Sequence, residues 1–519
     1  MSLARDITTV GGGTLVSRLL AYFRDAAIAA LLGAGPFAEA FFAVLQVVNF
    51  FRRLLAEGAL NSAFVPIWLK LRSGEDGAAN ADRFTRRSLV AMLCITGIVA
   101  LLTVVLARYV VMAIAPGFDE PRRQVASVYL LIVAPYIVLV GLIAVAAAAL
   151  NAEGRVGAAT VSTILFNVVM VLTLLWLFGM HTSQFGTGAW LSAAVVIASM
   201  IQFVVTVGAW LLTGRRWRSA RMRVPDQTGA LFTRALPGLI AAGIPQLKLI
   251  AAAAIVSSSD AAVSWLYYAN RLYELPLGVV SIAVTAVIVP RIAAAVRTSD
   301  TRSFAEAQSR AFEIALGLAL PAATGFAVLA VPIAGGLFER GAFGEQDTVA
   351  VGAALAAMCA GLPGHVLEKV FGAVSFAHED THTPMLAALC GLATAIVGGV
   401  LLFPHYGYAG VAAAIAISGW VGATILGLTL YWRGWLRLDA GAARRLPRIV
   451  AATAVMGAAV AYGHYAGHIL LPAASVSPLG RLAILLVLVA AGVAVYAAVL
   501  QILGVARLKE LAAAVKKRA

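Results

Sequence analysis

The sequence predicts an all-α polytopic membrane protein with about 14 transmembrane helices, arranged as two pseudo-symmetric six-helix lobes followed by two C-terminal helices. Three observations support this fold class. Hydrophobic residues make up 61% of the 519 residues and charged residues only 12%, with a mean hydropathy of +0.92, which is beyond soluble compositions. Apolar runs long enough to cross a bilayer recur along the whole chain. The first half also resembles the second at a constant offset.

Each predicted span is an apolar run of about 20 residues or more, the length that crosses the hydrocarbon core. The runs lie at 7–32, 38–69, 88–114, 125–150, 157–178, 188–212, 235–256, 261–289, 312–338, 349–376, 384–403, 407–432, 449–471 and 482–505. The first run is predicted to be a mature span and not a signal peptide, because Arg18, Arg24 and Asp25 interrupt it.

The distribution of basic residues predicts the topology. Of the 39 Lys and Arg residues, 27 lie at the N-terminus, in even-numbered loops or in the C-terminal tail, 4 lie in odd-numbered loops and 8 lie within spans. By the positive-inside rule, both termini are cytoplasmic. This distribution explains the net charge of +15 without a nucleic-acid partner. Anionic lipid headgroups are an alternative ligand for the basic loops.

An internal repeat at an offset near 224 residues predicts the domain organisation. The segment 41–66 aligns with 265–290, and 115–118 aligns with 340–343. Two copies with six spans each share one orientation, so the substrate site is expected between them. The predicted parts are an N-lobe at 1–214, a basic cytoplasmic linker at 215–234, a C-lobe at 235–433, and the last two spans with a basic tail at 434–519.

Charged side chains within the spans predict a wet or paired interior. Each one placed at the bilayer centre costs roughly 2.5–3.5 kcal/mol, so none is expected to face lipid. The second span carries a polar stripe on one helical face. Its members are Glu39, Gln46, Asn49, Arg53, Glu57 and Asn61. In the first span, Ser17 and Arg24 are seven residues apart, as are Arg18 and Asp25.

Cations exceed acids by two among the deeply placed groups. The cations are Arg18, Arg24, Arg52, Arg53, Lys248, Arg271 and Lys369, and the acids are Asp25, Glu39, Glu57, Glu274 and Glu368. A guanidinium grips phosphate or carboxylate at two points, so an arginine-lined cavity predicts an anionic substrate, with phosphate or pyrophosphate favoured. The alternative is purely structural pairing, for which Arg24 with Asp25 and Arg271 with Glu274 are suitably spaced.

An enzyme is not expected, and neither a cofactor nor a metal site is predicted. The letters His378-Glu379-Asp380-Thr381-His382 fit a zinc-protease pattern, but they precede Thr383-Pro384 and are predicted to form a cytoplasmic turn. A glycan-transferring enzyme would need an acid pair on an extracytoplasmic loop, for which Asp119-Glu120 is the nearest candidate. A non-transporting scaffold, which would tolerate loss of the cavity charges, is a further alternative.

Three stretches resemble the MurJ (MviN) family of lipid II flippases, and the likeness extends over nearly the whole chain. They are Ser17-Arg18 with Arg24-Asp25, then Arg52-Arg53-Leu54-Leu55-Ala56-Glu57-Gly58 with Ala63-Phe64-Val65-Pro66, and Tyr267-Tyr268-Ala269-Asn270-Arg271-Leu272 with Pro276-Leu277-Gly278. The resemblance implies the fold of the multidrug/oligosaccharidyl-lipid/polysaccharide exporter superfamily. A drug or oligosaccharide exporter of that fold is the alternative function.

The resemblance also implies roles for individual residues. Those expected to bind the pyrophosphate and headgroup are Ser17, Arg18, Arg24, Arg52, Arg53 and Arg271, and those expected to set cavity charge or coupling are Asp25, Glu39, Glu57, Asn270, Glu274 and Lys369. Glu39 stands where the family commonly has Asp, Gln46 where it can have Lys, and Asn270 where it often has Asp. The implied partners are lipid II (undecaprenyl-diphosphate-linked muropeptide), membrane lipids and cell-wall synthesis proteins, and the implied location is the bacterial cytoplasmic (inner) membrane.

Overall fold

A computed structural model describes residues 3–56, 59–74, 77–180, 182–212, 228–283, 292, 294, 301–470 and 477–505. Within these residues the secondary structure is helical and no strand occurs, which confirms the predicted fold class. Glu57, most of the predicted linker at 215–234 and the end of the basic tail lie outside the described residues.

The helices follow one another with short connections. They are α1 (Leu3–Leu32), α2 (Pro36–Ala56), α3 (Ala59–Arg72), α4 (Gly77–Val105), α5 (Ala107–Ile114), α6 (Glu120–Val133), α7 (Pro135–Ala152), α8 (Val156–Phe178), α9 (Gln184–Leu211), α10 (Thr228–Val256), α11 (Ala262–Ala283), α12 (Thr301–Val328), α13 (Ala330–Phe338), α14 (Glu345–Cys359), α15 (Leu362–Ala377), α16 (His382–Trp432), α17 (Ala440–Leu470) and α18 (Pro478–Ile502).

Nine of the described helical segments are long and apolar enough to cross a membrane, or ten if the bent pair within α10 is one span. The helices α1, α2 and α11 are not among them, because charged and polar side chains interrupt their apolar runs. The 51-residue α16 contains the two predicted spans 384–403 and 407–432, which meet at Gly407. Gly407 has φ 54° and ψ −142°, a conformation available to glycine that ends one helix and starts the next.

The helix boundaries repeat along the chain. The succession α4, α5, α6 and α7 has the same order of lengths and breaks as α12, α13, α14 and α15. The breaks at Leu106 and Leu329 are 223 residues apart, and the residues that precede α6 and α14, Asp119 and Gly344, are 225 apart. These intervals agree with the repeat read from the sequence.

The chain forms two compact units, and their division differs from the predicted lobe boundary. The first unit comprises Met1–Ser264 with Arg340–Phe343, and the second comprises Trp265–Glu339 with Gly344–Ala519. The helix α10 therefore belongs to the first unit, because it packs on α2 and α3. Its Gln246 is buried and hydrogen-bonded to Gln46 of α2. The division into symmetric lobes stays a prediction.

In the second unit, the two C-terminal helices are attached to α12. Gln308 Nε2 donates to the Trp435 carbonyl at 3.0 Å, in the connection between α16 and α17. Further along α12, the buried Glu313 carboxylate accepts two bonds from Arg445 at 2.9 and 3.1 Å. The Tyr496 hydroxyl of α18 donates to the Gly317 carbonyl at 2.7 Å. Polar contacts therefore fix α17 and α18 to one helix.

Candidate functional site

In the first unit, Arg24 is held in a polar network by two helices. Its Nε and Nη2 donate to Asp25 Oδ1 at 3.0 and 2.8 Å. Its Nη1 donates to Asn167 Oδ1 of α8 at 3.2 Å. Asn167 Nδ2 donates in turn to Ser17 Oγ at 3.0 Å, about two turns before Arg24 on α1. The network thus brings together three of the predicted site residues, Ser17, Arg24 and Asp25.

The pairing of Arg24 is partial. A guanidinium has five N–H donors, and three are used in the bonds to Asp25 and Asn167, which leaves two for a ligand. Arg24 is nevertheless 8% exposed and Asp25 only 1%. The bonds to Asp25 and Asn167 fix the plane of this buried guanidinium, so the arginine is pre-oriented. The predicted pairing of Arg24 with Asp25 is confirmed.

The other predicted cations of the first unit are half-buried. Arg18, on the face of α1 next to Ser17, is partly accessible. Arg52 and Arg53 are partly accessible near the end of α2. Amphipathic arginine side chains of this kind keep the stem in apolar surroundings and the head in a polar region. Partial exposure is what a hydrated path requires, and lipid-facing guanidinium groups would not be stable.

Glu39 lies in a closed ionic cluster. It is fully buried, and its carboxylate accepts bonds from Arg122 Nη1 at 3.0 Å and from the Val263 backbone N–H at 3.2 Å. Arg122 also pairs with Asp119 at 2.6 Å and with Asp260 at 3.1 Å. We call Glu39, Asp119, Arg122 and Asp260 the Arg122 cluster. The sequence predicted Glu39 as a cavity charge, whereas the structure buries it against an arginine.

In the second unit, Arg271 is supported by its own helix, α11. Its Nε donates to the Tyr267 hydroxyl at 3.1 Å, and its Nη1 donates to Glu274 at 3.2 Å. The guanidinium carbon also lies 5.1 Å from the centre of the Tyr267 ring. These partners are at i−4 and i+3, the positions that share a helix face. The pairing of Arg271 with Glu274 is confirmed, and Asn270 beside it is half-buried.

A second polar group of this unit joins α11 to α15. Lys369 is exposed, and its Nζ donates to Ser281 Oγ at 2.6 Å. His365, one turn earlier on α15, has its Nδ1 2.9 Å from the hydroxyl of the buried Tyr273. Glu368 lies against Gly422 of α16, where any side chain would collide with the carboxylate. Lys369 is thus the accessible charge of this group.

Two of these residues were missed by sequence reasoning. Asn167 is one amide in an otherwise apolar span, and only its bonds to Arg24 and Ser17 mark it. Arg122 was not singled out from the sequence, but its side chain is 11% exposed. A signal existed for Arg122, because Asp119 with Pro121 is a typical start of a helix and places residue 122 at its first turn.

Two loop carboxylates outside the spans begin helices. The side chain of Asp119 accepts bonds from Arg122, chiefly from its guanidinium, which lowers the pKa of the Asp119 carboxyl. Partial burial alone would raise the pKa of Asp380, but bonds from Thr383 and Arg433 outweigh burial and lower it. Asp380 lies in the turn between α15 and α16, which confirms the predicted turn for residues 378–381, whereas His382 begins α16.

Comparison with solved structures identifies the fold. The chain superimposes on a lipid II flippase MurJ in an inward closed conformation with a TM-score of 0.77 at 22% identity, covering 95% of this chain and 98% of the other. It also superimposes on an inward-facing multidrug resistance MATE family transporter of the MOP superfamily with a TM-score of 0.64 at 15% identity, covering 80% and 94% of the two chains. Likeness at these identities shows the fold.

The sequence comparisons identify the family. A model of the family "Lipid II flippase MurJ" matches residues 28–470. A probable lipid II flippase MurJ from Rhizobium meliloti (strain 1021) is 38% identical over 100% of this chain and 97% of its own length. A counterpart from Vibrio cholerae is 29% identical over 97% of both chains. The chain therefore belongs to the MurJ family of lipid II flippases.

Proposed function

We propose that this protein is a lipid II flippase of the bacterial cytoplasmic membrane. It moves undecaprenyl-diphosphate-linked muropeptide from the cytoplasmic to the periplasmic leaflet by alternating access, with both termini in the cytoplasm. Family membership supports the substrate, and the bias of Lys and Arg toward the even-numbered loops supports the orientation. Cell-wall synthesis proteins that consume the flipped precursor are the expected partners.

The observation that supports the proposal most directly is the hydrogen bonding of the Arg24 guanidinium. Its guanidinium is fixed by Asp25 and Asn167 and keeps two N–H donors, so it presents a fixed cation toward a ligand. A diphosphate carries several acceptor oxygens at the spacing that guanidinium donors fit. In the first unit, Arg18, Arg52 and Arg53 would supply further positive charge, while the apolar polyprenyl tail stays in lipid. In the second unit, Arg271 and Lys369 are the cations proposed to bind the substrate.

The proposal is tested by transport of the purified substrate. The protein is reconstituted into liposomes with fluorescent lipid II in the inner leaflet, and appearance in the outer leaflet is followed with a membrane-impermeant quencher. A fluorescent phospholipid serves as the control substrate. We expect lipid II to cross while the phospholipid does not. Equal movement of both lipids, or transport of an organic cation without lipid II, would contradict the proposal.

Arginine variants make the test specific. Arg24→Ala and Arg271→Ala should each slow lipid II transport by roughly 10- to 100-fold, since a hydrogen bond to a charged group is worth about 1.5–3 kcal/mol. Arg108→Ala is the matched control, because the Arg108 side chain is 63% exposed and, among the residues that the structure describes, pairs with Glu120 alone at the end of a span. Its transport rate should equal that of the unmodified protein. A loss of transport in Arg108→Ala equal to that in Arg24→Ala would remove the assigned role.

A further inference from the structure

The Arg122 cluster joins four separate segments of the first unit. Arg122 and Asp119 belong to the start of α6, Glu39 to α2, and Asp260 to the loop between α10 and α11. Glu39 also accepts the backbone N–H of Val263, in the first turn of α11. One arginine therefore pairs with carboxylates from three elements and, through Glu39, contacts the beginning of α11.

Glycines let the backbones in this region approach very closely. At Gly117, a Cβ would collide with the backbone of Ser258, and the Gly117 N–H donates to Ser257 Oγ at 2.8 Å. At Gly341, a Cβ would collide with the carbonyl oxygen of Ala30, which accepts the Ala342 N–H at 2.9 Å. These contacts join the loop 115–119 to 257–261, and a Cβ at Gly33 would likewise collide with Ala342, which joins the loop 33–35 to 340–343. We call these four odd-numbered loops, together with the Arg122 cluster, the odd-loop layer.

The two carboxylates Asp260 and Glu39 differ in how much their ion pairs with Arg122 contribute. Asp260 is 95% exposed at its side chain, so its bond to Arg122 is screened by water and contributes little. Glu39 has a side-chain exposure of 0%, so its carboxylate depends on Arg122 for charge compensation. Removal of the guanidinium would leave a buried carboxylate bonded to the uncharged backbone N–H groups of Val263 and Ala261. Such a carboxylate would favour a state in which it reaches water.

We propose that Arg122 is the residue that locks the odd-loop layer closed, and that its release from Glu39 is the step that opens this end of the protein during transport. The inference rests on the proposed function, since it treats the odd-numbered loops as the extracytoplasmic side. Arg122 contacts the carboxylates of the layer directly, and its guanidinium is the positive charge that the buried Glu39 faces. Breaking that pair frees α2 and the first turn of α11 together.

The test measures access of a thiol reagent to the layer. Ala34 is 2% exposed in the loop between α1 and α2, so Ala34→Cys is a reporter in a background whose native cysteines, Cys94, Cys359 and Cys390, are replaced by Ala. A membrane-impermeant maleimide is applied to spheroplasts. Arg122→Gln should raise the labelling rate at least about tenfold, because an uncompensated buried carboxylate favours the open state.

Arg123→Gln is the matched control. Arg123 is the neighbouring arginine, but its guanidinium donates hydrogen bonds to Glu120 and to the Phe118 carbonyl, which lie in the same loop and in the first turn of α6. Its labelling rate should stay at the level of the unmodified protein. Arg122→Lys keeps the positive charge and should give an intermediate rate, whereas a general loss of packing would make Lys and Gln behave alike.

The outcomes separate the inference from the proposed function. If Arg122→Gln and Arg123→Gln label at the same rate, Arg122 is not the lock. If Arg122→Gln accumulates poorly, Glu39→Gln replaces it, since it removes the same ion pair from the other side and should also raise labelling. If labelling rises only in inside-out vesicles, the lock stands and the proposed orientation is wrong. Lipid II transport that fails in the unmodified protein refutes the proposed function alone.

Discussion

Asn167 gives a direct test of the idea that Arg24 is held in place for a ligand. Asn167→Ala removes the acceptor of Arg24 Nη1 at 3.2 Å and the donor to Ser17 Oγ at 3.0 Å. Interhelical hydrogen bonds in membrane proteins average about 0.6 kcal/mol and reach about 1.7 kcal/mol. The bond to the charged guanidinium belongs at the upper end and the bond to Ser17 near the mean. We therefore expect a loss of about 2 kcal/mol in the free energy of unfolding.

Asn151→Ala is the matched control for this measurement. The Asn151 side chain makes one neutral bond, from its Nδ2 to Asn61 Oδ1 at 3.2 Å, between α7 and α3. Its loss should cost about 0.6 kcal/mol. Both variants are compared with the unmodified protein by reversible unfolding in lipid nanodiscs. Equal destabilisation by Asn167→Ala and Asn151→Ala would refute the assignment of a charge-assisted bond to Asn167.

A second substitution separates positioning from stability. Asn167→Asp keeps an oxygen beside Arg24 Nη1 and adds a negative charge, so the protein should stay folded with unchanged or higher stability. The added carboxylate competes with an anionic substrate for the same guanidinium. Lipid II transport in liposomes should therefore fall at least about tenfold, the change that 1.4 kcal/mol of competing interaction produces. Unchanged transport in a stable Asn167→Asp protein would show that Arg24 does not serve a ligand.

Two further predictions concern the loops. Gly341→Ala should lower the amount of folded protein, because Gly341 has φ +60° and a Cβ there would collide with the Ala30 carbonyl. Gly434→Ala is the control for backbone strain alone, since Gly434 has φ +69° and open space around the Cβ. Equal losses of stability in the two variants on thermal unfolding in nanodiscs would contradict the collision. Asp380→Asn should destabilise the protein at pH 7. The lowered pKa of Asp380 means that its stabilisation is present above the unfolded-state pKa of about 3.9 and is lost as the pH falls through the lower folded-state value. The difference in thermal stability between the two proteins should therefore be smaller near pH 3 than at pH 7, and an unchanged difference would contradict the assigned ionisation.

The fold class was predictable because hydrophobic runs and breaks are local features of the sequence. Apolar length identified the spans, and the adjacent or i, i+3 spacing of Arg24 with Asp25 and of Arg271 with Glu274 identified two ion pairs. The break at Leu106 was not predicted, because no glycine or proline stands nearby and the backbone leaves helical dihedral angles within one apolar run. The break at Leu329 was not predicted either, although Pro332 follows it by three residues and was a usable signal.

Contacts between segments that are far apart in the chain could not be predicted from the sequence. Glu39 and Arg122 are 83 residues apart, and Arg24 and Asn167 are 143 apart. Periodicity places Glu39 on a polar stripe but cannot distinguish a residue that faces water from one that faces an arginine of another helix. The compact units differ from the repeat-based lobes for the same reason. The packing of α10 on α2 and α3 depends on how well the helix surfaces fit, and a single sequence does not show which surfaces fit best.

The three attachments along α12 have a consequence for altering the end of the chain. Glu313 has a side-chain exposure of 6%, and its carboxylate pairs with Arg445 from the segment that follows α16. A chain cut after Arg433 would lose this cation together with the contacts to Gln308 and Gly317. Glu313 would keep its ion pair with Arg310, which lies one turn away on the same helix. The last two helices are therefore not a removable appendage, and shortened versions of this protein should retain them.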